Sequence, residues 1–186
     1  MDSAPYLVLI GPMGAGKSSL GRRLALAWDM AFVDLDRAIE IRAGSDIQTI
    51  FTCEGEPGFR RREREALAEV LAGEGGIVAT GGGTVLDPGN RALMQRCGFV
   101  VFLQIDIDEQ LARLARDRSR PLLADVDRTE VLCRLAAERG PLYAGIADLT
   151  FSPAGMSATD AAERLANLLQ SLWRRPGMPP TPPDPT

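Results

Sequence analysis

Short apolar runs alternate along this chain with longer amphipathic segments. The apolar runs predict β-strands at Tyr6–Ile10, Ala31–Asp34, Gly76–Thr80, Phe99–Ile105 and Leu149–Phe151. The amphipathic segments predict helices at Lys17–Trp28, Ala38–Ala43, Asp46–Thr52, Gly58–Ala72, Pro88–Arg96, Asp108–Ala115, Arg128–Ala144 and Ser157–Leu172. This alternation predicts a three-layer α/β/α fold in which helices cover both faces of a parallel sheet.

The alternation ends near Trp173, and the remaining segment, residues 174–186, is rich in proline. Proline at this density supports neither helix nor strand. We therefore expect one domain over residues 4–173, large enough to bury a core, followed by a disordered or polyproline tail. A docking peptide for an aromatic groove is the alternative interpretation of the tail.

Composition excludes several classes of protein. No apolar run reaches the roughly 18 residues that a membrane helix requires, and the first apolar run enters a glycine loop rather than a cleavage site, which argues against a signal peptide. The net charge of −4 argues against a general nucleic-acid binder. The 3 cysteines are far apart and lack metal-ligand spacing, so they indicate reduced thiols. We expect a cytoplasmic monomer that binds neither nucleic acid nor membrane.

The strongest motif is Gly11–Ser18, which fits the pattern G-x-x-x-x-G-K-[ST] of the P-loop between a predicted strand and a predicted helix. Lys17 is the only lysine of the chain. In a P-loop, backbone N–H groups and the helix N-terminus bind phosphates, the lysine reaches the β/γ-phosphates and the serine ligates Mg²⁺. The motif predicts a nucleotide site made by Gly14, Ala15, Gly16, Lys17, Ser18 and Ser19, unless the match is accidental.

Two aspartates, Asp34 and Asp36, alternate at the end of the second predicted strand. Alternate residues on an extended strand project to the same side, and ligands of α/β sheets bind outside the carboxyl ends of the strands. One carboxylate suits Mg²⁺ and the other a substrate hydroxyl. The alternative is that Asp36 is only the N-cap of the following helix. Because the chain has 0 histidines, a proton acceptor near neutral pH must be a carboxylate or the substrate itself.

Three further segments suit an anionic ligand. Arg60 lies in the charged helical run Phe59–Glu63, for which a solvated face is the alternative. Gly81–Gly83 follow a buried strand and allow close backbone approach to a ligand, or form a plain turn. Residues 116–123 are basic and follow a helix, as expected of a flap over a transferring phosphate or of an ordinary surface loop.

In this order, these residues resemble shikimate kinase. That family shows a P-loop, D-x-D, F-R-R-x-E, G-G-G, R-P-L-L and R-x-P-L-Y, which here are Gly11–Ser18, Asp34/Asp36, Phe59–Glu63, Gly81–Gly83, Arg120–Leu123 and Arg139–Tyr143. The resemblance runs from the first strand to about Tyr143. It implies strand order 2-3-1-4-5, a substrate-binding segment at about 34–64 and a lid at about 114–126.

The resemblance also implies a reaction and a role for each residue. ATP would phosphorylate the 3-hydroxyl of shikimate to give shikimate 3-phosphate and ADP. Lys17 and the loop amides would hold the phosphates. Ser18 would ligate Mg²⁺ and Asp34 would hold it through water, while Asp36 would contact the shikimate hydroxyls and accept a proton. Arg60, Arg139 and the backbone of Gly81, Gly82 and Gly83 would hold the carboxylate, Arg120 would close over the phosphates, and Arg113 would stack on adenine.

One segment departs from the family pattern, because Phe151–Met156 carry no basic residue near the expected adenine site. Pro153 remains there as an apolar edge for the base. The alternative functions are another small-molecule P-loop kinase, such as a gluconate or nucleoside monophosphate kinase, and a nucleotide-binding module without turnover.

Overall fold

The centre of the molecule is a parallel β-sheet. The computed structural model describes residues 4–115 and 127–174, and within them a 5-stranded parallel sheet has the order β2-β3-β1-β4-β5. The strands are β1 (Tyr6–Ile10), β2 (Phe32–Asp34), β3 (Gly76–Ala79), β4 (Gly98–Leu103) and β5 (Leu149–Phe151). The helices are α1 (Lys17–Trp28), α2 (Leu35–Ala43), α3 (Ile47–Leu71), α4 (Pro88–Cys97), α5 (Ile107–Leu114), α6 (Arg128–Ile146) and α7 (Ala158–Leu172). The expected fold class and strand order are confirmed.

The packing of the central strand β1 explains why its sequence is continuously apolar. Tyr6, Val8 and Ile10 belong to a core cluster shared with α2, α3, α4 and α6, whereas Leu7 and Leu9 belong to a second cluster shared with α1 and α7. Both faces of the strand are therefore buried, as is usual for parallel sheets covered by helices.

The largest departure from the predicted elements lies in α3. The predicted helices Asp46–Thr52 and Gly58–Ala72 are the two arms of one helical element that turns sharply at Gly55, where φ is 67°. A positive φ is strained for any residue with a side chain, so glycine allows the chain to change direction here. Both arms can then face the same space beside the sheet.

Side-chain caps mark the starts of α7 and α2. Ser157 caps α7, because its hydroxyl oxygen accepts a hydrogen bond from the backbone N–H of Asp160. Helix α2 begins three residues earlier than predicted, at Leu35, with Asp34 as its N-cap. The short 3-10 helix Thr84–Leu86 was not predicted.

The carboxyl ends of the strands deliver the functional segments to one edge of the sheet. The loop after β1 carries Gly11–Ser18, β2 ends at Asp34, and β3 leads into Gly81–Gly83. Cys53, Cys97 and Cys133 are free thiols. Among the described helices, none combines the length and the apolar character that a membrane span requires. The predicted tail, from residue 175 onward, and lid residues 116–126 lie outside the described residues.

Candidate active site

The phosphate loop takes its shape from glycines in the left-handed region. Gly11, Gly14 and Gly16 have φ values of 137°, 78° and 91°. A Cβ on Gly11 would lie 2.5 Å from the carbonyl oxygen of Leu103, so a side chain there would collide with β4. Gly16 is the N-cap of α1 and offers no side-chain hydrogen bond to the helix. The N-terminal amides of α1 therefore face a small pocket, a suitable environment for phosphate oxygens.

Lys17 is held across this loop. Its Nζ donates hydrogen bonds to the carbonyl oxygens of Gly11 at 2.7 Å and Pro12 at 2.8 Å, and only 9% of the residue is exposed. The loop thus fixes the lysine beside a cavity of about 200 Å³. This phosphate pocket is lined by Met13, Gly14, Gly16, Lys17, Ser18, Ser19, Asp34, Asp36, Thr80 and Gly82.

Ser18 and Asp34 bring two oxygen ligands together. The Ser18 hydroxyl donates a hydrogen bond to Oδ2 of Asp34 at 2.5 Å, while Oδ1 of Asp34 accepts the backbone N–H of Arg37 at 3.3 Å. The N-cap bond leaves Oδ2 directed at the phosphate loop. A hydroxyl and a carboxylate in contact are a hard, oxygen-only pair that suits Mg²⁺.

Asp36 lies at the site, but on a different secondary-structure element from the predicted one. It lies in the first turn of α2 rather than on an extended strand, and Asp34, not Asp36, is the N-cap. The prediction of two alternate strand residues and the alternative of Asp36 as a cap are both wrong. The carboxylate nevertheless lies at the site, since a Cβ on Gly81 would be 2.8 Å from Oδ1 of Asp36.

A second and larger cavity, of about 510 Å³, adjoins the phosphate pocket. We call it the acceptor pocket. Arg60, Asp36, Gly81–Gly83 and Arg139 contribute to its lining, so the structure brings these predicted substrate-binding residues together. Both arms of α3 also line it, through Phe51 on the first arm and Phe59 on the second.

Arg60 is fixed by two glutamates on its own helix. Its guanidinium donates hydrogen bonds to Glu63 at 2.7 Å and to Glu56 at 3.0 Å. A Cβ on Gly83 would overlap the guanidinium, so glycine is required for the arginine to pack against this backbone. Burial lowers the pKa of Arg60, but the neighbouring Glu63 and Glu56 outweigh it and raise the pKa above its usual value. The group therefore remains a cation.

Glu63 is a site residue whose role sequence reasoning missed. It is only 1% exposed, and its second carboxylate oxygen accepts a hydrogen bond from the Thr84 hydroxyl at 2.7 Å. The available signal was helical spacing: Glu63 lies four residues after Phe59 and four before Leu67, both of which are buried. A carboxylate on an apolar face requires a partner, and Arg60 supplies it.

Arg139 is the most unusual cation of the acceptor pocket. It is 7% exposed, and its Nε has no hydrogen-bond partner within the part of the chain that the structure describes. A buried donor without a partner is costly. An anion in the acceptor pocket would satisfy it.

Tyr143, one helical turn after Arg139, completes this wall. Its hydroxyl donates a hydrogen bond to the carbonyl oxygen of Gly82. Burial raises the pKa of Tyr143 to about 12, although the positive charge of Arg139 and its hydrogen bond to the phenol oppose that rise. The phenol is therefore protonated and a donor at neutral pH. Tyr143 ends the motif Arg139–Tyr143, and the sequence alone does not indicate a role for it.

Of the remaining residues predicted to bind the nucleotide, the structure describes Arg113 and Pro153. Arg113 donates a hydrogen bond to the carbonyl oxygen of Gly14 at 3.1 Å and pairs with Glu109, so it lies beside the phosphate loop. Pro153 is buried in the loop between β5 and α7, apart from the residues that line the two pockets. Arg120 lies outside the described residues.

A phosphate loop in a sheet of this order, joined to a second pocket whose lining includes Arg60 and Arg139, is typical of a P-loop kinase that acts on a small molecule. Comparison with known proteins narrows this class. A family model described as shikimate kinase matches residues 13–170. The chain therefore belongs to the shikimate kinase family, and the resemblance found in the sequence is confirmed.

Individual relatives agree. The shikimate kinase of Stenotrophomonas maltophilia (strain K279a) is 54% identical over 97% of this chain and 100% of its own length. That of Xylella fastidiosa (strain M23) is 53% identical over 94% of this chain and 97% of its own. A solved structure of shikimate kinase from Acinetobacter baumannii in complex with shikimate covers 90% of this chain and 93% of its own, with a TM-score of 0.87 and 39% identity.

Proposed function

We propose that this chain transfers the γ-phosphoryl group of ATP to the 3-hydroxyl of shikimate, giving shikimate 3-phosphate and ADP. The observation that carries the proposal is that the two pockets meet. Met13, Ser18, Asp34, Asp36 and Gly82 line both the phosphate pocket and the acceptor pocket. A nucleotide phosphate and an acceptor hydroxyl would thus be held on either side of one set of residues.

Two arginines recognise the acceptor through its carboxylate. Shikimate carries one carboxylate and three hydroxyls on a ring. Arginine matches a carboxylate with a two-pronged hydrogen bond, and Arg139 has a buried donor with no partner in the described chain. Arg60 lines the same pocket and packs against Gly83. Backbone groups of Gly81, Gly82 and Gly83, which also line this pocket, would help to hold the carboxylate.

The phosphate loop and a magnesium ion neutralise the nucleotide. Lys17 exchanges its two carbonyl contacts for the β/γ-phosphates, and the amides from Gly14 to Ser19 surround the phosphate oxygens. Ser18 and Asp34 would hold Mg²⁺, since both line the phosphate pocket and their oxygens lie 2.5 Å apart. Bound there, the ion would neutralise charge on the phosphates. Within the described residues, no group of three or more His, Cys, Asp and Glu side chains forms a metal site of its own, so phosphates and water would complete the shell.

Asp36 orients the acceptor and takes up its proton. The oxygen of the 3-hydroxyl forms a bond to the γ-phosphorus while the bond from that phosphorus to the leaving ADP oxygen breaks. The hydroxyl proton passes to Asp36, which lines both pockets. Phosphoryl transfer of this kind depends mainly on positioning and charge neutralisation, and these residues supply both.

Arg113 and Pro153 complete the proposed nucleotide site. Arg113 is anchored beside Gly14 and would stack on adenine, while Pro153 would give an apolar edge to the base. Closure of Arg120 over the phosphates together with a lid stays a prediction from the sequence, since it concerns residues outside the described ranges.

The test is release of ADP by the purified full chain with ATP, MgCl₂ and shikimate. We expect turnover with shikimate and none with gluconate or a nucleoside monophosphate, since an open-chain acid or a nucleotide would not place a hydroxyl in line with the γ-phosphate. Turnover of gluconate or a nucleoside monophosphate without turnover of shikimate would assign the chain to a sister activity. Binding of ATP without turnover of any acceptor would indicate a non-catalytic module.

A further inference from the structure

Gly82 lies at the boundary between the two pockets. A Cβ on this residue would be 3.5 Å from the backbone nitrogen of Met13, 3.6 Å from the carbonyl oxygen of Gly11 and 3.6 Å from the hydroxyl oxygen of Tyr143. The Gly82 peptide therefore separates the phosphate loop from Tyr143. A shift of this peptide would move the acceptor relative to the phosphates.

Tyr143 is built to hold that peptide still. It is 2% exposed, and its ring stacks on Phe102 with the centroids 5.1 Å apart and the planes at 24°. Phe102 pairs in register with Ile10, the last residue of β1 before the phosphate loop. The ring is thereby fixed to the sheet directly below the loop, and its hydroxyl donates to the Gly82 carbonyl.

The same phenol also contacts the proposed carboxylate site. Arg139 lies four residues earlier on α6, and its charge and a hydrogen bond act on the Tyr143 hydroxyl. The phenol thus touches a cation of the acceptor pocket on one side and the boundary peptide on the other.

We propose that Tyr143 is a positioning residue for phosphoryl transfer: its hydrogen bond to Gly82 fixes the distance between the acceptor and the phosphate loop. The proposal rests on the proposed function. Near-attack geometry is sensitive to displacements of about 1 Å, so loss of this bond should reduce turnover even when both substrates still bind.

The chain offers a matched control, because its 2 tyrosines are both buried phenols that donate to a backbone carbonyl. Tyr6 donates to the carbonyl oxygen of Val70 at 2.5 Å. It begins β1, at the end of the sheet opposite the phosphate loop. Tyr6→Phe removes a comparable hydrogen bond and touches neither pocket.

The experiment compares Tyr143→Phe and Tyr6→Phe in the full chain by thermal unfolding and by steady-state kinetics. Both variants should melt about 2–4 °C below wild type, as expected for the loss of one buried hydrogen bond. Tyr143→Phe should lower kcat at least tenfold and keep the KM for ATP within twofold, whereas Tyr6→Phe should keep both parameters within twofold. Kinetics are measured at a temperature at which circular dichroism shows both variants folded.

If the two variants had the same kcat and KM values and lost the same melting temperature, the hydrogen bond of Tyr143 would contribute only to stability. That result would overturn the proposal. A tenfold loss in the Tyr6 variant as well would also overturn it, since the effect would not depend on Gly82. If the wild-type chain failed to phosphorylate shikimate, the proposed function would fail first, before the variants are compared.

Discussion

The hydroxyl of Ser18 and the carboxylate of Asp34 are in direct hydrogen-bond contact, at 2.5 Å, across the space between the start of α1 and the end of β2. The contact joins the phosphate loop to β2, and both residues line the acceptor pocket as well. Asp34 also caps α2. One side chain therefore fixes the helix that carries Asp36 and presents an oxygen toward the phosphates.

Asp34→Asn should raise the Mg²⁺ concentration that half-maximal activity requires, by about tenfold or more. Asparagine is as good an N-cap as aspartate, so α2 should begin at the same residue. The cation site loses the negative charge and, because an amide NH₂ replaces Oδ2, also the oxygen that faces Ser18. Titration of activity with MgCl₂ at saturating shikimate measures the effect. An unchanged Mg²⁺ requirement in a folded variant would remove Asp34 from the proposed metal site.

Asp36→Asn should mainly lower kcat, by about 10²–10⁴-fold, the usual contribution of a positioned general acid or base. The Mg²⁺ requirement should change little, which separates this variant from Asp34→Asn. Asp36 is not the N-cap of α2, so the variant does not remove a cap. Steady-state kinetics that match wild type in both kcat and the KM for shikimate would show that this carboxylate neither orients the hydroxyl nor takes its proton.

Glu63→Gln should raise the KM for shikimate at least tenfold, because it removes the buried charge that holds Arg60 against Gly83. Breaking a buried ion pair commonly costs about 3–5 kcal/mol, so the melting temperature should fall as well. Glu56→Gln is the matched control: Glu56 bonds the same guanidinium, but its side chain is 54% exposed, and surface pairs contribute about 0–1 kcal/mol.

The KM for shikimate in the Glu56 variant should stay within about fivefold of wild type, because a surface pair worth about 1 kcal/mol or less changes an equilibrium by no more than that factor. Similar increases in both variants would mean that burial of Glu63 has no special part in positioning Arg60. The KM values are measured at a temperature at which both variants are folded, so that a difference in stability does not affect them.

The sequence predicted the parts of the site that follow from local pattern. The phosphate loop needs its glycines, its lysine and its flanking strand and helix in one continuous segment, so Gly11–Ser18 could be found directly. The ends of α1, β1 and β5 were also predicted, since apolar runs and helical periodicity determine them.

The features that the sequence did not predict depend on tertiary contacts. The role of Glu63 depends on Thr84 and Arg60 meeting it from two elements, and that of Tyr143 depends on Gly82, which lies 61 residues earlier in the chain. Asp36 was placed on the wrong element, because β2 gives way to α2 without a loop. The turn at Gly55 requires a positive φ, and glycine alone does not reveal which φ it adopts.

Recognition of a carboxylate by Arg60 and Arg139 is tested most directly by comparing kcat/KM for shikimate with that for its methyl ester, in wild type and in Arg60→Ala. An interaction with a charged group contributes about 1.5–3 kcal/mol, so wild type should prefer the acid by roughly 10- to 100-fold. Arg60→Ala should lose most of that preference while the KM for ATP stays within twofold. Equal use of acid and ester by wild type, or an undiminished preference in the variant, would contradict carboxylate recognition by Arg60.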